Sequence, residues 1–118
     1  MKCAMNKDID TFVWKKTEPD EPQMWCYAGG RRYLFANCIL RVKLDKFYGA
    51  IYEINLDNIE KDLAKLDERD TAYVKSLDDD FEMARELADS IDCDQCDRET
   101  ELFDTEEELW EHVKSIRG

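Results

Sequence analysis

The fold is decided by the stretch YLFANCILRVKLDKFYGAIYEINL, residues 33–56. Apolar residues alternate with other residues in 33–44 and again in 47–56, and a period of two is typical of a half-buried strand. Asp45 and Lys46 provide a tight turn between them, so the stretch predicts an antiparallel hairpin. The side chains predicted to face the core are Leu40, Val42, Leu44, Ala50, Tyr52, Ile54 and Leu56.

Two further strands are predicted before this hairpin. Residues 11–16 are β-prone, and residues 24–28 alternate in the same way and end at Gly29 and Gly30, a two-residue hairpin signal. Both prolines of the chain lie in 18–22, which is therefore a loop. The first half of the chain is thus expected to be an antiparallel meander of about four strands.

After residue 56 the periodicity becomes helical. Residues 57–60 resemble a capping box that begins a short helix, and residues 71–75 are predicted as a last strand because they include two β-prone side chains. Ser76, followed three residues later by Asp79, is predicted to begin a longer helix, and Thr105 is predicted to cap a third. The apolar stripe of the longer helix consists of Leu77, Phe81, Ala84, Ala88 and Ile91.

These elements predict an α+β fold with two parts. Residues 1–91 form an antiparallel β-sheet meander of about four to five strands packed with one or two helices, of which we expect one on one face of the sheet. Residues 92–118 form a C-terminal appendage made of a finger-like knuckle and a helix.

Several features of residues 11–91 are similar to small phage and prophage α+β proteins. They are the tryptophans Trp14 and Trp25 in strands, the stretch Ile-Tyr-Glu-Ile at 51–54, and Ser-Leu-Asp at 76–78 before a helix with alanines. The resemblance implies a fold and a phage setting, and no reaction.

The acidity of the chain is concentrated in its second half. Its 17 Lys and Arg and 29 Asp and Glu give 118 residues a net charge of −12. Residues 1–50 hold nine basic and six acidic side chains, a charge of +3, whereas 51–118 hold eight and 23, a charge of −15. A net negative charge argues against direct nucleic-acid binding. The asymmetry fits either ordinary solvated helix faces or an acidic surface for a basic partner.

Location is constrained by three further observations. The chain has no run of 18 apolar residues, so no membrane span is expected. Residues 1–10 are charged and do not resemble a secretory signal. Five cysteines, an odd number, favour reduced thiols in a cytoplasm over a secreted disulfide framework.

The C-terminal segment resembles a degenerate Cys2His2 zinc finger. Cys93 and Cys96 match the Cys-x2-Cys knuckle, and Phe103, Leu109 and His112 match the family's Phe-x5-Leu-x2-His spacing. The resemblance implies that Cys93, Cys96 and His112 bind Zn²⁺, which takes four ligands.

Two departures leave this zinc site incomplete. Six residues separate Cys96 from Phe103 where the family usually has three, and Ile116 holds the position of the second histidine. The alternative is a metal-free helical appendage, in which the two cysteines are reduced or form a small disulfide. Possible sources of a fourth ligand are Cys3, Cys26, Cys38, an acidic side chain or water. The residues that would pack a metal-free appendage are Leu102, Phe103, Leu109, Val113 and Ile116.

The exposed acidic side chains are the predicted partner-binding residues. Base-reading fingers carry basic or amide residues on the helix face, whereas this face is acidic and suits a protein partner better. The predicted partner-binding residues are Glu106, Glu107, Glu108 and Glu111 on the last helix and Asp78, Asp79 and Asp80 at the start of the preceding one.

Two functions follow from the sequence. The first is a non-enzymatic acidic protein-interaction module of phage type, such as an anti-CRISPR or anti-restriction inhibitor. It would mimic nucleic-acid charge and occupy a basic surface of a host protein, for example a nucleic-acid-binding enzyme. The second is a zinc-binding adaptor that recognises protein through its finger-like element. A single histidine and no catalytic set argue against an enzyme.

Overall fold

A computed structural model describes residues 11–117 of the chain, and it confirms the predicted α+β fold. Five strands form one open antiparallel sheet in which each strand pairs with the next along the chain. The strands are β1 (Lys15–Lys16), β2 (Gln23–Tyr27), β3 (Arg32–Arg41), β4 (Lys46–Asn55) and β5 (Arg98–Glu99). The helices are α1 (Glu60–Leu63), α2 (Glu68–Lys75), α3 (Asp80–Ser90) and α4 (Glu106–Val113), with 3₁₀ turns at Leu56–Asn58 and Cys93–Gln95.

The predicted hairpin is the centre of the sheet. Strands β3 and β4 pair along their full length, from Arg32 opposite Asn55 to Arg41 opposite Lys46. The loop between them is residues 42–45, so the turn predicted at Asp45 and Lys46 is misplaced, and Lys46 already pairs with Arg41 in the sheet. Asp45, the last loop residue, has a φ of 56°, a left-handed conformation that aspartate tolerates better than most residues. A turn lies at Gly29 and Gly30 as predicted, with positive φ of 94° and 59°, but the predicted two-residue loop is wrong, because three residues, 29–31, lie between Ala28 and Arg32, which are joined by a 2.9 Å backbone hydrogen bond.

Helices cover both faces of the sheet, so the expectation of one helix on one face is wrong. On the first face, called the α3 face, Tyr48, Tyr52 and Ile54 of β4 pack with the helices that precede β5. On the second face, called the α4 face, Ile51 packs with α4 and with Trp14. The physical reason lies in β4, which is apolar on both of its sides and therefore needs two covering layers.

The end of the β3–β4 hairpin also differs from the prediction. Strand β3 ends at Arg41, and Leu40, Val42 and Leu44, predicted to face the core, are exposed. The last residue of β3 that pairs with β2 is Asn37, so beyond it the hairpin has no neighbouring strand on that side. Alternation in the sequence places side chains on faces but does not supply a layer to cover them.

Two other elements were predicted wrongly. Residues 71–75, predicted as a strand, belong to α2, whose first turn is capped by Asp67 through a 2.8 Å hydrogen bond from the Asp70 N–H. In the first predicted strand only Lys15–Lys16 form a strand, and Phe12, whose N–H donates to the Tyr27 carbonyl at 2.8 Å, leaves the extended conformation with a φ of 60°. Both errors arise where a local cap or turn overrides β propensity.

Residues 92–118, predicted as an appendage, are joined to the sheet at several points. Strand β5 pairs with β4, and Phe103 and Phe47 exchange backbone hydrogen bonds of 2.7 and 2.8 Å. Leu109 and Val113 of α4 are fully buried on the α4 face. This end of the chain is thus held by apolar packing and backbone pairing, and a finger-like knuckle is not confirmed.

Candidate functional site

The cysteine pair lies on the α3 face, directly after α3. The Cys93 sulfur accepts a hydrogen bond from the Tyr48 hydroxyl at 3.8 Å, and the Cys96 thiol donates to the Arg98 carbonyl at 3.1 Å. Both are half-buried free thiols, not a disulfide. Burial, aided by the Glu99 carboxylate, raises the pKa of the Cys96 thiol. A raised pKa disfavours the thiolate, which is the form that binds metal or attacks a disulfide.

His112 lies on the opposite side of the sheet from the cysteine pair. It belongs to α4, and its ring packs on Phe103 with centroids 5.2 Å apart. Among residues 11–117, no three His, Cys, Asp or Glu side chains are arranged to hold a metal ion. The three predicted ligands therefore do not fit one zinc ion in this arrangement, and zinc binding stays a prediction.

The other predicted sources of a fourth ligand are also dispersed. Cys26 is buried in the core of the α4 face, where burial raises the pKa of its thiol to about 12. The Cys38 thiol donates to the Glu106 carboxylate at 3.8 Å, and burial together with that carboxylate raises its pKa to about 12. Cys3 lies outside the described residues.

The acidic residues at the start of α3 have local structural roles. The Asp79 carboxylate caps α3 by accepting a 2.9 Å hydrogen bond from the Glu82 N–H. Asp80 forms a two-point ion pair with Arg31, with distances of 3.1 and 3.0 Å, and this guanidinium lowers the pKa of Asp80. Asp78 is exposed immediately before the helix. Two of these three carboxylates are thus occupied within the protein.

The four acidic residues predicted on the last helix are exposed on α4. Glu108 accepts a 3.2 Å hydrogen bond from the Asp104 N–H, and its own N–H donates to the Thr105 hydroxyl at 3.1 Å, which confirms the predicted cap. Glu111 pairs with Lys114 at 3.3 Å. Within the part of the chain that the structure describes, Glu107 has no ion-pair partner. The acidic positions therefore divide between two faces of the sheet and do not form one surface.

A shallow depression of about 480 Å³ that is wide open to solvent, called the acidic groove, lies beside α4. Leu102 and Phe103 contribute apolar surface to it, and Lys46 contributes a cation that forms an ion pair with Asp104. Three of the predicted partner-binding residues line it. The full lining is Lys46, Leu102, Phe103, Asp104, Glu107, Glu108 and Glu111.

Sequence reasoning missed the apolar part of this groove. Leu102 and Phe103 are predicted above only as core residues of a finger or an appendage, whereas Leu102 is 41% exposed. No local pattern marks the site, because it forms where the Phe103 backbone pairs with Phe47, 56 positions away in sequence. The sequence identified the acidic residues, and the tertiary pairing supplies the apolar surface between them.

None of the helices within residues 11–117 is long and apolar enough to cross a membrane. Comparison of the chain with protein-family models, with curated proteins and with solved structures found no match.

Proposed function

We propose that this protein is a non-enzymatic interaction module that binds a basic segment of a partner protein in the acidic groove beside α4. The observation that carries the proposal is the combination of apolar and acidic surface in one groove. Leu102 and Phe103 offer apolar contact, and carboxylates at positions 104, 107, 108 and 111 line the same space. Lys46 is the one cation among the lining residues and pairs with Asp104, and Lys114, outside the lining, pairs with Glu111, so Glu107 and Glu108 are left without an ion pair among residues 11–117.

Such a groove favours a ligand with both apolar and cationic side chains. Apolar burial supplies most of the affinity in such interfaces, and charge complementarity supplies orientation and the association rate. The −15 charge of residues 51–118 adds a longer-range attraction for a basic partner. The concrete form we propose is a phage-type inhibitor that occupies the nucleic-acid-binding surface of a host protein. The free thiols within residues 11–117 support a reducing cytoplasm as its location.

A synthetic peptide with alternating lysine and leucine residues is a suitable probe. The change is Glu107→Gln with Glu111→Gln, which removes two groove charges without altering side-chain size. The matched control is Glu68→Gln with Glu82→Gln, which removes two exposed charges from helices of the α3 face. We expect the groove variant to weaken peptide binding about tenfold and the control to weaken it much less, as measured by fluorescence anisotropy.

Salt dependence provides the second readout. Peptide affinity should fall between low and physiological ionic strength, and the groove variant should show a shallower dependence than the wild type. Equal weakening in the groove variant and in the control would show attraction to net charge alone and would refute a binding groove.

A further inference from the structure

The tip of the β3–β4 hairpin, residues 40–44, is the most exposed apolar feature among the described residues. Leu40, Val42 and Leu44 are 45%, 78% and 54% exposed, and they alternate with the cations Arg41 and Lys43. Exposed apolar side chains that cluster at one place, unlike single scattered ones, are a candidate interaction surface. The tip is therefore a basic and apolar segment, which is the ligand chemistry that the acidic groove favours.

The tip and the groove are parts of one continuous surface. Leu40 lies opposite Phe47 in the hairpin, and Phe47 in turn pairs with Phe103 of the acidic groove. These three residues form a row across the sheet from the tip to the groove. Lys46, two residues after the tip, lines the groove itself. The tip of one copy cannot reach far into the acidic groove of the same copy, because both are fixed to strands β3 and β4.

The two halves of this surface carry opposite charge. On the tip, Arg41 forms an ion pair with Glu99 at 3.8 Å and lies 4.7 Å from the centre of the Tyr48 ring. Lys43, the other cation of the tip, has no ion-pair partner among residues 11–117. In the groove, Glu107 and Glu108 have no ion-pair partner among residues 11–117, and Glu108 accepts a hydrogen bond from the Asp104 N–H, which leaves Glu107 as the more available anion. One half offers an unpaired cation beside apolar side chains, and the other offers an unpaired anion beside apolar side chains.

We propose that a second copy of this chain occupies the acidic groove, with the hairpin tip of each copy seated in the groove of the other. A two-fold dimer requires a surface that is complementary to itself, and a patch with a basic apolar half next to an acidic apolar half meets that requirement. The two tip-in-groove contacts are then identical, and the assembly closes at two copies. This inference does not depend on the identity of a basic partner, although such a partner would compete for the groove.

Sedimentation velocity of the full chain over a concentration series tests the dimer. We expect the wild-type mass to rise with concentration from that of one chain to that of two. Val42→Asp, which places a charge on the apolar tip, should raise the dissociation constant at least about tenfold. Val13→Asp is the matched control, because Val13 is also exposed, at 45%, but lies outside the tip and the groove. The control should leave the dissociation constant unchanged.

Charge reversal provides a test that a general loss of folding cannot imitate. Lys43→Glu and Glu107→Lys should each weaken the dimer, and the double variant should recover most of the loss because opposite charges again face each other. Circular dichroism checks that each variant is folded. A wild-type chain that is monomeric up to about 1 mM would overturn the inference. A dimer unaffected by both Val42→Asp and Lys43→Glu would overturn it as well. Neither result would decide whether the acidic groove binds a basic peptide, because that proposal has its own test.

Discussion

Replacing Gly49 with alanine tests how closely α4 is packed on the sheet. A Cβ atom at this position would lie 3.1 Å from Thr100 Cγ2 and 3.2 Å from Leu109 Cδ1. Thr100 cannot easily retreat, because its Oγ1 accepts a 2.8 Å hydrogen bond from the Gly49 N–H and its own N–H donates to the Gly49 carbonyl at 2.9 Å. Leu109 is fully buried.

The expected change in the free energy of unfolding follows from two opposing effects. Overpacking a close-packed site costs about 1–3 kcal/mol. Replacing glycine by alanine also restricts the unfolded chain, which stabilises the folded state by about 0.4–1 kcal/mol. The middle of each range leaves a net loss, so we expect Gly49→Ala to lower the free energy of unfolding by about 1 kcal/mol, measured by urea denaturation followed by circular dichroism.

A double-mutant cycle identifies the contact responsible. Leu109→Ala alone should cost about 2–5 kcal/mol, because it leaves a cavity under α4. It also removes the atom that Gly49→Ala would meet, so the double variant should lose less stability than the two single costs added together, by at least about 0.5 kcal/mol. Val74→Ala, at a fully buried position of the α3 face, is the matched control and should combine additively with Gly49→Ala. Additivity with Leu109→Ala, or no effect of Gly49→Ala, would refute this packing.

Three further outcomes are expected. Thr105→Ala should lower the free energy of unfolding by about 1 kcal/mol, because α4 loses its capping hydroxyl; an unchanged urea midpoint would contradict this. Arg31 lowers the pKa of Asp80 in the folded protein. The ion pair therefore stabilises the fold fully at pH values above the pKa of an unfolded aspartate, and this stabilisation is lost as the pH falls through the lower pKa of folded Asp80. Arg31→Ala should therefore raise the Asp80 titration midpoint in NMR, and an identical midpoint would argue against the pair. The cysteine pair and His112 lie on opposite faces of the sheet. His112→Ala should therefore leave the zinc content measured by elemental analysis unchanged, whereas Cys93→Ser should remove any zinc that the cysteine pair binds. Loss of zinc in both variants would show that these side chains converge on one ion.

Local signals in the sequence were sufficient for several elements. The period-two alternation of residues 33–56 gives the central hairpin, because each strand of this pair has its neighbour in the same short stretch of chain. Positive φ at Gly29 and Gly30 and the hydroxyl of Thr105 define a turn and a helix start through interactions that span only a few residues. The acidic residues of α4 are visible in the sequence for the same reason.

What covers each surface was decided only by the tertiary structure. Alternation states that neighbouring side chains point to opposite faces, but it cannot state whether a second layer lies on each face. For this reason the exposure of Val42, the helix on each side of β4 and the apolar surface of the acidic groove were not predictable from local patterns. The separation of Cys93 from His112 has the same origin. The 18 residues between them pass along the edge of the sheet, where β5 pairs with β4. Side chains with the spacing of zinc-finger ligands therefore lie on opposite faces of the sheet and do not meet at one ion.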